Sequence, residues 1–526
     1  MIRYSEIEDT LGCKTLMTDE MQLAIEDWYA WAIEGRSLDN NEDTMTMGWP
    51  SLICNELARL TTLELEAKVE GSQRAEWINE KLQNVLSPRK RRAFAMALAL
   101  GSGVWKPYQS GESIGVTFVP ATGYYPIAHS PEGHLVEAVF VDQLRDNKQY
   151  YNRVEWMHVL KGPEDYHAKE RDLLETLDLS PATEYPCVQV ISMAFESSTK
   201  DGLGSRIDMS RRPEWEDVEP IAYLSGLDKL PVGYFVTPIT NTVDPVSDMG
   251  AAIFAPAIPQ IIDADQQYTR LDWEYEAAEM AVDTDEEYLQ DSARGSVLDR
   301  ARAVAHFGVL PEALNKEMPK HRDRLYHGMS VNKGITESAP FYNVFAPSLR
   351  DGNYLNGLNQ YIRNIESHVG LAFGTFSQGT ETEKTATEIM NSRQKSYALV
   401  SDLQAALEAA LRDLIDALDF WADQTQEAPQ GGDINISFHW DDSIIIDRMT
   451  EMAQWQQELQ LGLRSKQEYR QHFFGEDEAT AQEAVQAALQ EAMAGEILQG
   501  VINGQQQQQN SNNQNSQQRG NQSAKK

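Results

Sequence analysis

Residues 385–424 predict a single long helix, and this prediction constrains the fold more than any other feature of the sequence. The stretch contains neither glycine nor proline, and its apolar residues recur at helical spacing. They are Ile389, Tyr397, Val400, Leu403, Leu407, Leu411, Leu414, Leu418 and Trp421. At ~1.5 Å per residue such a helix spans about 60 Å, more than the width of a small domain. We therefore expect the helix to brace a larger body.

The segment before this helix is polar and contains three glycines, Gly370, Gly374 and Gly379. Polar loops of this length between two strong helices are usually functional. We expect the glycines to give the backbone freedom to move. Gly374 and Gly379 have the first spacing of a phosphate-binding P-loop, but a helix precedes them and no Lys-Ser/Thr pair follows Gly379. The motif therefore argues against nucleotide binding.

The N-terminal part of the chain predicts helices first and strands second. Apolar spacing predicts helices over 21–33, 51–66, 74–86 and 91–100. After about residue 110, stretches rich in β-branched and aromatic residues alternate with turn clusters, and this alternation predicts an antiparallel meander. Its expected strands are 114–119, 135–144, 150–160 and 186–195, with 232–239 as a further candidate.

The middle of the chain predicts two helices that flank an insert. Residues 260–281 and 354–368 each carry an apolar stripe, and the segment between them contains short elements and several prolines. A helical hairpin with a small module at its tip follows from this order. A strand at 434–440 and helices at 447–461 and 476–502 are expected next, with Ser465 as the N-cap of a short helix. The Gln/Asn-rich residues 504–526 are expected to be disordered.

The charge of the chain limits its partners. It has 526 residues, 45 Lys and Arg, 81 Asp and Glu, and a formal net charge of -36. Such an excess argues against a protein that grips nucleic acid through phosphate contacts, but not against a wall past which DNA slides. The simpler explanation of the acidity is solubility. No run approaches the ~18 apolar residues of a membrane span, so no membrane partner is expected.

Metal and catalytic motifs are weak or absent in the sequence. Asp441, Asp442 and Asp447 are weak candidates for a cation site, although helix caps and turns explain them more simply. The acidic run that begins at Asp283 lacks the glycine that a calcium-binding loop requires. No catalytic triad or paired-carboxylate motif stands out, so we expect no enzyme activity and no cofactor.

Five segments in order resemble the portal proteins of long-tailed double-stranded DNA bacteriophages. They are the helix around Cys54–Ala58, the Gly101–Pro107 segment with its following strand, the helix–insert–helix unit, the loop Gly370–Glu388 with its TATEI sequence, and the strand-to-helix passage Phe438–Asp447 with Ser465–Tyr469 after it. Each segment alone is a weak signal. Together they cover about residues 51–475.

The resemblance implies an α+β, mainly helical portal fold that assembles as a ring around a central channel. It divides the chain into a wing (1–254), a first stem helix (255–282), a clip (283–349), a second stem helix (350–369), a tunnel loop (370–384), a long wing helix and strand (385–440), crown helices (441–503) and the tail (504–526). Exposed apolar stripes on long helices could join the subunits of such a ring.

The resemblance also implies sites and partners. The DNA-facing residues of the tunnel loop would be Phe373, Gly374, Thr375, Phe376, Ser377, Gln378, Gly379, Thr380 and Lys384. A basic patch would contact partners through Lys316, Lys320, His321, Arg322 and Arg324, although a solvated helix face explains that patch equally well. The expected partners are other subunits in a ring of about twelve, the terminase large subunit, the head-completion adaptor, the major capsid and scaffolding proteins, and double-stranded DNA without sequence specificity.

The implied function is a channel for genome packaging and ejection at one vertex of the capsid. The protein would reside in the virion and, during assembly, in the host cytoplasm. Two other functions stay open on the sequence: a capsid or scaffold component without a channel, and an unrecognised enzyme. The mobile loop favours the channel over a plain shell component, because a shell component needs no such loop.

Overall fold

The computed structural model describes most of the chain up to residue 487. The described residues are 1–39, 43–63, 65–86, 90–111, 113–245, 247–277, 281–285, 326–329, 342–345, 348–378, 386–425, 428–429, 431–440, 448–474, 480–482 and 484–487. They fall into two compact units, Met1–Trp440 and Asp441–Lys526. No helix among these residues combines the length and apolar character needed to cross a lipid bilayer.

Helices and strands alternate along the first unit. Its helices are α1 (Tyr4–Leu11), α2 (Asp19–Ala32), α3 (Trp49–Thr62), α4 (Gln73–Val85), α5 (Lys90–Leu100), α6 (Ala168–Thr176), α7 (Ile258–Ala277), α8 (Asp351–Val369) and α9 (Ala386–Gln424). Its strands are β1 (Leu65–Glu70), β2 (Ser102–Ser110), β3 (Ser113–Pro120), β4 (Tyr124–His129), β5 (Leu135–Asp146), β6 (Gln149–Leu160), β7 (Cys187–Ser197), β8 (Ser205–Ile207), β9 (Ile221–Ser225), β10 (Gly233–Val236), β11 (Ala281–Asp285), β12 (Tyr326–Met329), β13 (Tyr342–Phe345) and β14 (Asn435–Trp440).

The largest sheet is the expected antiparallel meander. Its strand order is β4-β5-β6-β7-β8, and β9 also pairs with β7. The meander differs from the prediction at one strand, because β3 lies in a separate sheet of order β10-β2-β3. The short Ser110–Ser113 connection pairs β3 with β2, and β2 then pairs with β10 on its other edge.

The long helix α9 packs its apolar stripe into the core of the first unit. Leu403, Leu407 and Leu411 are at most 2% exposed. Strand β10 approaches the helix so closely that a Cβ atom on Gly233 would lie 2.5 Å from the carbonyl oxygen of Ala410. The prediction that this helix braces a larger body is confirmed.

Helices α7 and α8 form an antiparallel pair that flanks the insert. Near the insert, the guanidinium of Arg350 donates to the Glu274 carboxylate at 2.6 and 3.0 Å. These hydrogen bonds lower the pKa of Glu274. Nearer the opposite end of the pair, Gln260 Nε2 and His368 Nε2 lie 3.5 Å apart. The described parts of the insert contribute the sheet β12-β11-β13.

In the second unit, residues 480–482 and 484–487 are helical, and two longer helices are α10 (Arg448–Gln460) and α11 (Lys466–Phe474). As predicted, Ser465 caps the second of them. Its hydroxyl accepts from the main-chain N–H of Glu468 at 3.1 Å, and its own N–H donates to the Glu468 carboxylate at 2.9 Å. Trp455 stacks on His472 with ring centroids 4.5 Å apart, which joins the two helices.

Three expectations need correction. The expected α+β fold contains more sheet than a mainly helical fold implies, because the described residues include 14 strands in four sheets. The helix expected over 51–66 ends at Thr62, and strand β1 follows it with every second residue buried. The helix expected over 260–281 ends at Ala277, and Ala281–Asp285 is a strand. Most of the expected helix 476–502 and all of the tail lie outside the described residues.

Candidate functional site

The candidate site is the start of the polar loop, residues 370–378, which we call the loop base. Helix α8 ends where Gly370 takes a left-handed conformation with φ of +90°. The N–H groups of Gly370 and Leu371 donate to the Glu366 carbonyl oxygen at 3.1 and 2.7 Å. Glycine is the usual residue at this position because it adopts positive φ without strain.

The buried carboxylate of Glu366 accepts four hydrogen bonds from the loop base. Its Oε1 accepts from the N–H groups of Phe376 and Ser377 at 2.6 and 2.8 Å. Its Oε2 accepts from the N–H of Gly374 at 3.2 Å and from the Ser377 hydroxyl at 2.8 Å. Glu366 is 0% exposed, so these four donors replace water around its carboxylate. The loop base therefore follows the end of α8 as one piece.

Further hydrogen bonds anchor both ends of the loop base. At its start, the N–H of Ala372 donates to the Ser396 hydroxyl of α9 at 2.7 Å. At its end, the N–H of Gln378 donates to Asn359 Oδ1 at 2.8 Å, and Arg363 donates to the Gln378 carbonyl at 3.1 Å. The loop base is thus bonded to the helix before it and to the helix after it.

The two phenylalanines of the loop base have different surroundings. The half-buried Phe376 packs edge to face on the buried Trp49, with ring centroids 5.8 Å apart. Phe373 is 44% exposed, and the Lys395 ammonium lies 5.8 Å from the centre of its ring. Phe376 therefore fastens the loop base to the body, whereas Phe373 offers an aromatic face with a nearby positive charge.

The structure gives the glycines of the loop base a role in addition to the expected one. Gly374 has φ of +95°, a value that non-glycine residues rarely adopt, and its N–H is bonded to Glu366. Gly370 and Gly374 therefore allow the tight turn of the loop base, and the expected freedom of the loop to move stays a prediction. Of the other expected DNA-facing residues, Thr375 is partly buried, Ser377 is buried and Gln378 is exposed.

Several expected site residues lie outside the described residues. They are Gly379, Thr380 and Lys384 of the loop, the basic residues Lys316, Lys320, His321, Arg322 and Arg324, and the acidic residues Asp441, Asp442 and Asp447. The assignments of all three groups stay predictions.

The sequence prediction missed the residues that hold the loop base, namely Asn359, Arg363, Glu366 and Ser396. One signal was present for Glu366, which lies in the last turn of α8. The negative end of the helix dipole disfavours a carboxylate there, so a glutamate at that position indicates a specific partner.

Comparison with known proteins supports the resemblance. Residues 302–496 match the family model described as phage portal protein, SPP1 Gp6-like. This segment contains α8, the loop base, α9 and the helices α10 and α11 of the second unit. No curated protein matches the chain at a significant level. The match confirms the resemblance to phage portal proteins.

Proposed function

We propose that this chain, a phage portal protein by its family match, is the repeating subunit of a ring whose channel admits the viral genome. The portal family consists of structural, non-enzymatic, ring-forming components of the phage capsid, which interact with the capsid and with terminase. In our proposal, α7 and α8 form the stem, residues 283–349 the clip and residues 370–384 the tunnel loop.

The observation that carries this proposal is the hydrogen-bonded loop base. A loop that contacts moving DNA must transmit force to the ring without detaching from it. Glu366, Asn359 and Ser396 provide that attachment, because they bond the loop base to helices on both sides. The exposed Phe373 and the residues that follow Gln378 are then the part that meets the DNA.

The chemistry of the exposed part suits DNA that slides. Phe373 offers stacking and van der Waals contact, which does not depend on base sequence. The excess of acidic residues in the chain repels phosphate, so strong contacts that would stall the DNA are few. Lys395 beside Phe373 supplies one positive charge for weak, sequence-independent attraction.

The clip would dock the terminase large subunit during packaging and the head-completion adaptor afterwards. The crown would face the capsid interior, and the major capsid and scaffolding proteins would surround the wing. We propose a ring of about twelve subunits, placed at one capsid vertex and assembled in the host cytoplasm. Packaging and ejection of the genome would both proceed through this ring.

The first test is the mass of the purified full-length protein by native mass spectrometry. A closed ring of about twelve chains is expected. A stable monomer or dimer at high protein concentration would refute the ring, and it would favour a capsid component without a channel. Electron microscopy of the same sample measures whether an axial channel is present.

The second test compares the two phenylalanines in a phage packaging assay. Phe373→Ala is expected to reduce packaged DNA or its retention while leaving the ring mass and the melting temperature unchanged. Phe376→Ala is the matched variant. Because it removes the contact with Trp49, it is expected to lower the protection of the loop-base amides against hydrogen exchange. Normal packaging by Phe373→Ala and by a Gly374→Pro, Gly379→Pro double variant would refute a role of the loop in DNA passage.

A further inference from the structure

A second cluster of polar side chains lies in the meander, away from the loop. Glu137 on β5 and His158 on β6 are direct partners in the antiparallel register. Both are buried, at 4% and 9% exposure. His167, which directly precedes α6, completes the cluster, and its ring lies 4.9 Å from that of His158. Three chain segments thus bring a carboxylate and two imidazoles together.

The distances within this cluster match those between ligands of one metal ion. His167 Nε2 lies 2.9 Å from Glu137 Oε1, and His158 Nε2 lies 3.8 Å from Glu137 Oε2. One donor atom from each residue lies within 4.8 Å of the other two. Zinc bound at ~2.0–2.1 Å in tetrahedral geometry separates its ligands by roughly 3.3 Å, which falls between the two distances.

The surrounding residues orient two of these three side chains. The Glu170 carboxylate lies 3.0 Å from His158 Nδ1, which places the proton on Nδ1 and turns Nε2 toward Glu137. Trp156 Nε1 donates to Glu137 Oε1 at 2.9 Å. A carboxylate behind a histidine is the usual arrangement around metal-binding histidines, because it fixes the ring and strengthens it as a ligand.

The charge of the cluster favours a cation. Glu137 and Glu170 are both buried, and neither forms an ion pair with a lysine or arginine in the part of the chain that the structure describes. Without a bound ion, balancing both carboxylates requires protons on both His158, 3.0 Å from Glu170, and His167, 2.9 Å from Glu137. A divalent ion with neutral histidines would balance both carboxylates.

We propose that Glu137, His158 and His167 bind a divalent transition-metal ion of the zinc type. Binding displaces any proton on Nε2 of each histidine to solvent, while His158 keeps the proton on Nδ1, which faces Glu170. A water molecule completes the four ligands. The ion would tie the β5–β6 hairpin to the start of α6, and this structural role does not depend on the ring or its channel.

Metal analysis of the full-length protein tests the proposal directly. The protein is purified, stripped with a chelator, and titrated with zinc by calorimetry. We expect one zinc ion per chain with a Kd in the micromolar range or below. Glu170→Gln, which changes the carboxylate that lies 3.0 Å from His158 Nδ1 and accepts the main-chain N–H of His167 at 2.6 Å, is expected to weaken binding by about 10- to 100-fold. His158→Gln should abolish binding, whereas His439→Gln, a change at an exposed histidine, should leave it unchanged.

Two results would overturn the proposal. One is the absence of zinc uptake by the wild-type protein, and the other is uptake that His158→Gln and Glu170→Gln leave unaltered. X-ray absorption of the zinc-loaded wild type does not depend on how the variants fold. It should show nitrogen and oxygen ligands at about 2.0–2.1 Å with histidine scattering. A site with oxygen ligands alone would exclude the proposed residues.

Discussion

The substitution Glu366→Gln tests whether one carboxylate holds the loop base. Glutamine keeps the size of the side chain but accepts hydrogen bonds at one oxygen only. If that oxygen faces Phe376 and Ser377, it still accepts from their main-chain N–H groups. These two hydrogen bonds are weaker than before, because the acceptor is no longer charged. The amide group then faces the N–H of Gly374, which loses its acceptor at Glu366 Oε2 and keeps only the Ser377 hydroxyl oxygen, 3.0 Å away, as an acceptor. A charged hydrogen bond contributes about 1.5–3 kcal/mol and a neutral one about 0.5–1.5 kcal/mol, so we expect local opening to become easier by about 2–4 kcal/mol.

Hydrogen exchange detected by mass spectrometry measures this local opening. Each 1.4 kcal/mol changes the opening equilibrium tenfold, so exchange in the loop base should accelerate by roughly 30- to 700-fold. Peptides from the buried stripe of α9 around Leu407 should keep their wild-type exchange. Asp351→Asn is the matched control, because this half-buried aspartate in the first turn of α8 accepts only from the adjacent Gly352 N–H at 2.8 Å among the hydrogen bonds described. Unchanged exchange in Glu366→Gln would refute the reasoning, since the four bonds would then contribute little to holding the loop.

Two other substitutions test the packing of the body. Gly233→Ala should lower the melting temperature and destabilise the fold by about 1–3 kcal/mol, because its Cβ would lie 2.5 Å from the Ala410 carbonyl oxygen. Gly352→Ala is the control and should not lower the melting temperature, because its Cβ would have no other atom within 4 Å. His129 is buried among the described residues without a partner for either ring nitrogen, and burial lowers its pKa. At pH values near 6, the unfolded state therefore binds more protons than the folded state. Because of this difference, the free energy of unfolding decreases as the pH falls below the unfolded-state pKa of ~6.5. His129→Phe should reduce the fall in melting temperature between pH 7 and pH 5, whereas His439→Phe should leave it unaltered.

The sequence predicted well those elements whose signal is local and repeated. The apolar stripe of α9 recurs over about nine turns, and the structure buries it from Val400 to Leu418. Strand β1 escaped prediction for the opposite reason. Its six residues form a two-stranded sheet with β14, which lies far away in the sequence. Its partner is set by tertiary structure, and the alternation of Leu65, Ala67 and Val69 covers only six residues, the first two of which fell within the predicted helix 51–66.

The loop base shows where sequence reasoning about function stops. The glycines and polar residues correctly marked residues 370–378 as a loop between two helices. The expected mobility of the loop stays a prediction, and what the sequence did not indicate is that a glycine of this loop also shapes a hydrogen-bonded turn. In the structure, Gly374 takes a left-handed conformation that aims its N–H at Glu366. Such a contact joins residues eight positions apart and depends on the path of the chain between them, which composition does not encode. A glutamate in the last turn of a helix that ends in glycine indicates a bound carboxylate. The helix dipole disfavours a negative charge at that position unless N–H groups beyond the helix donate to it.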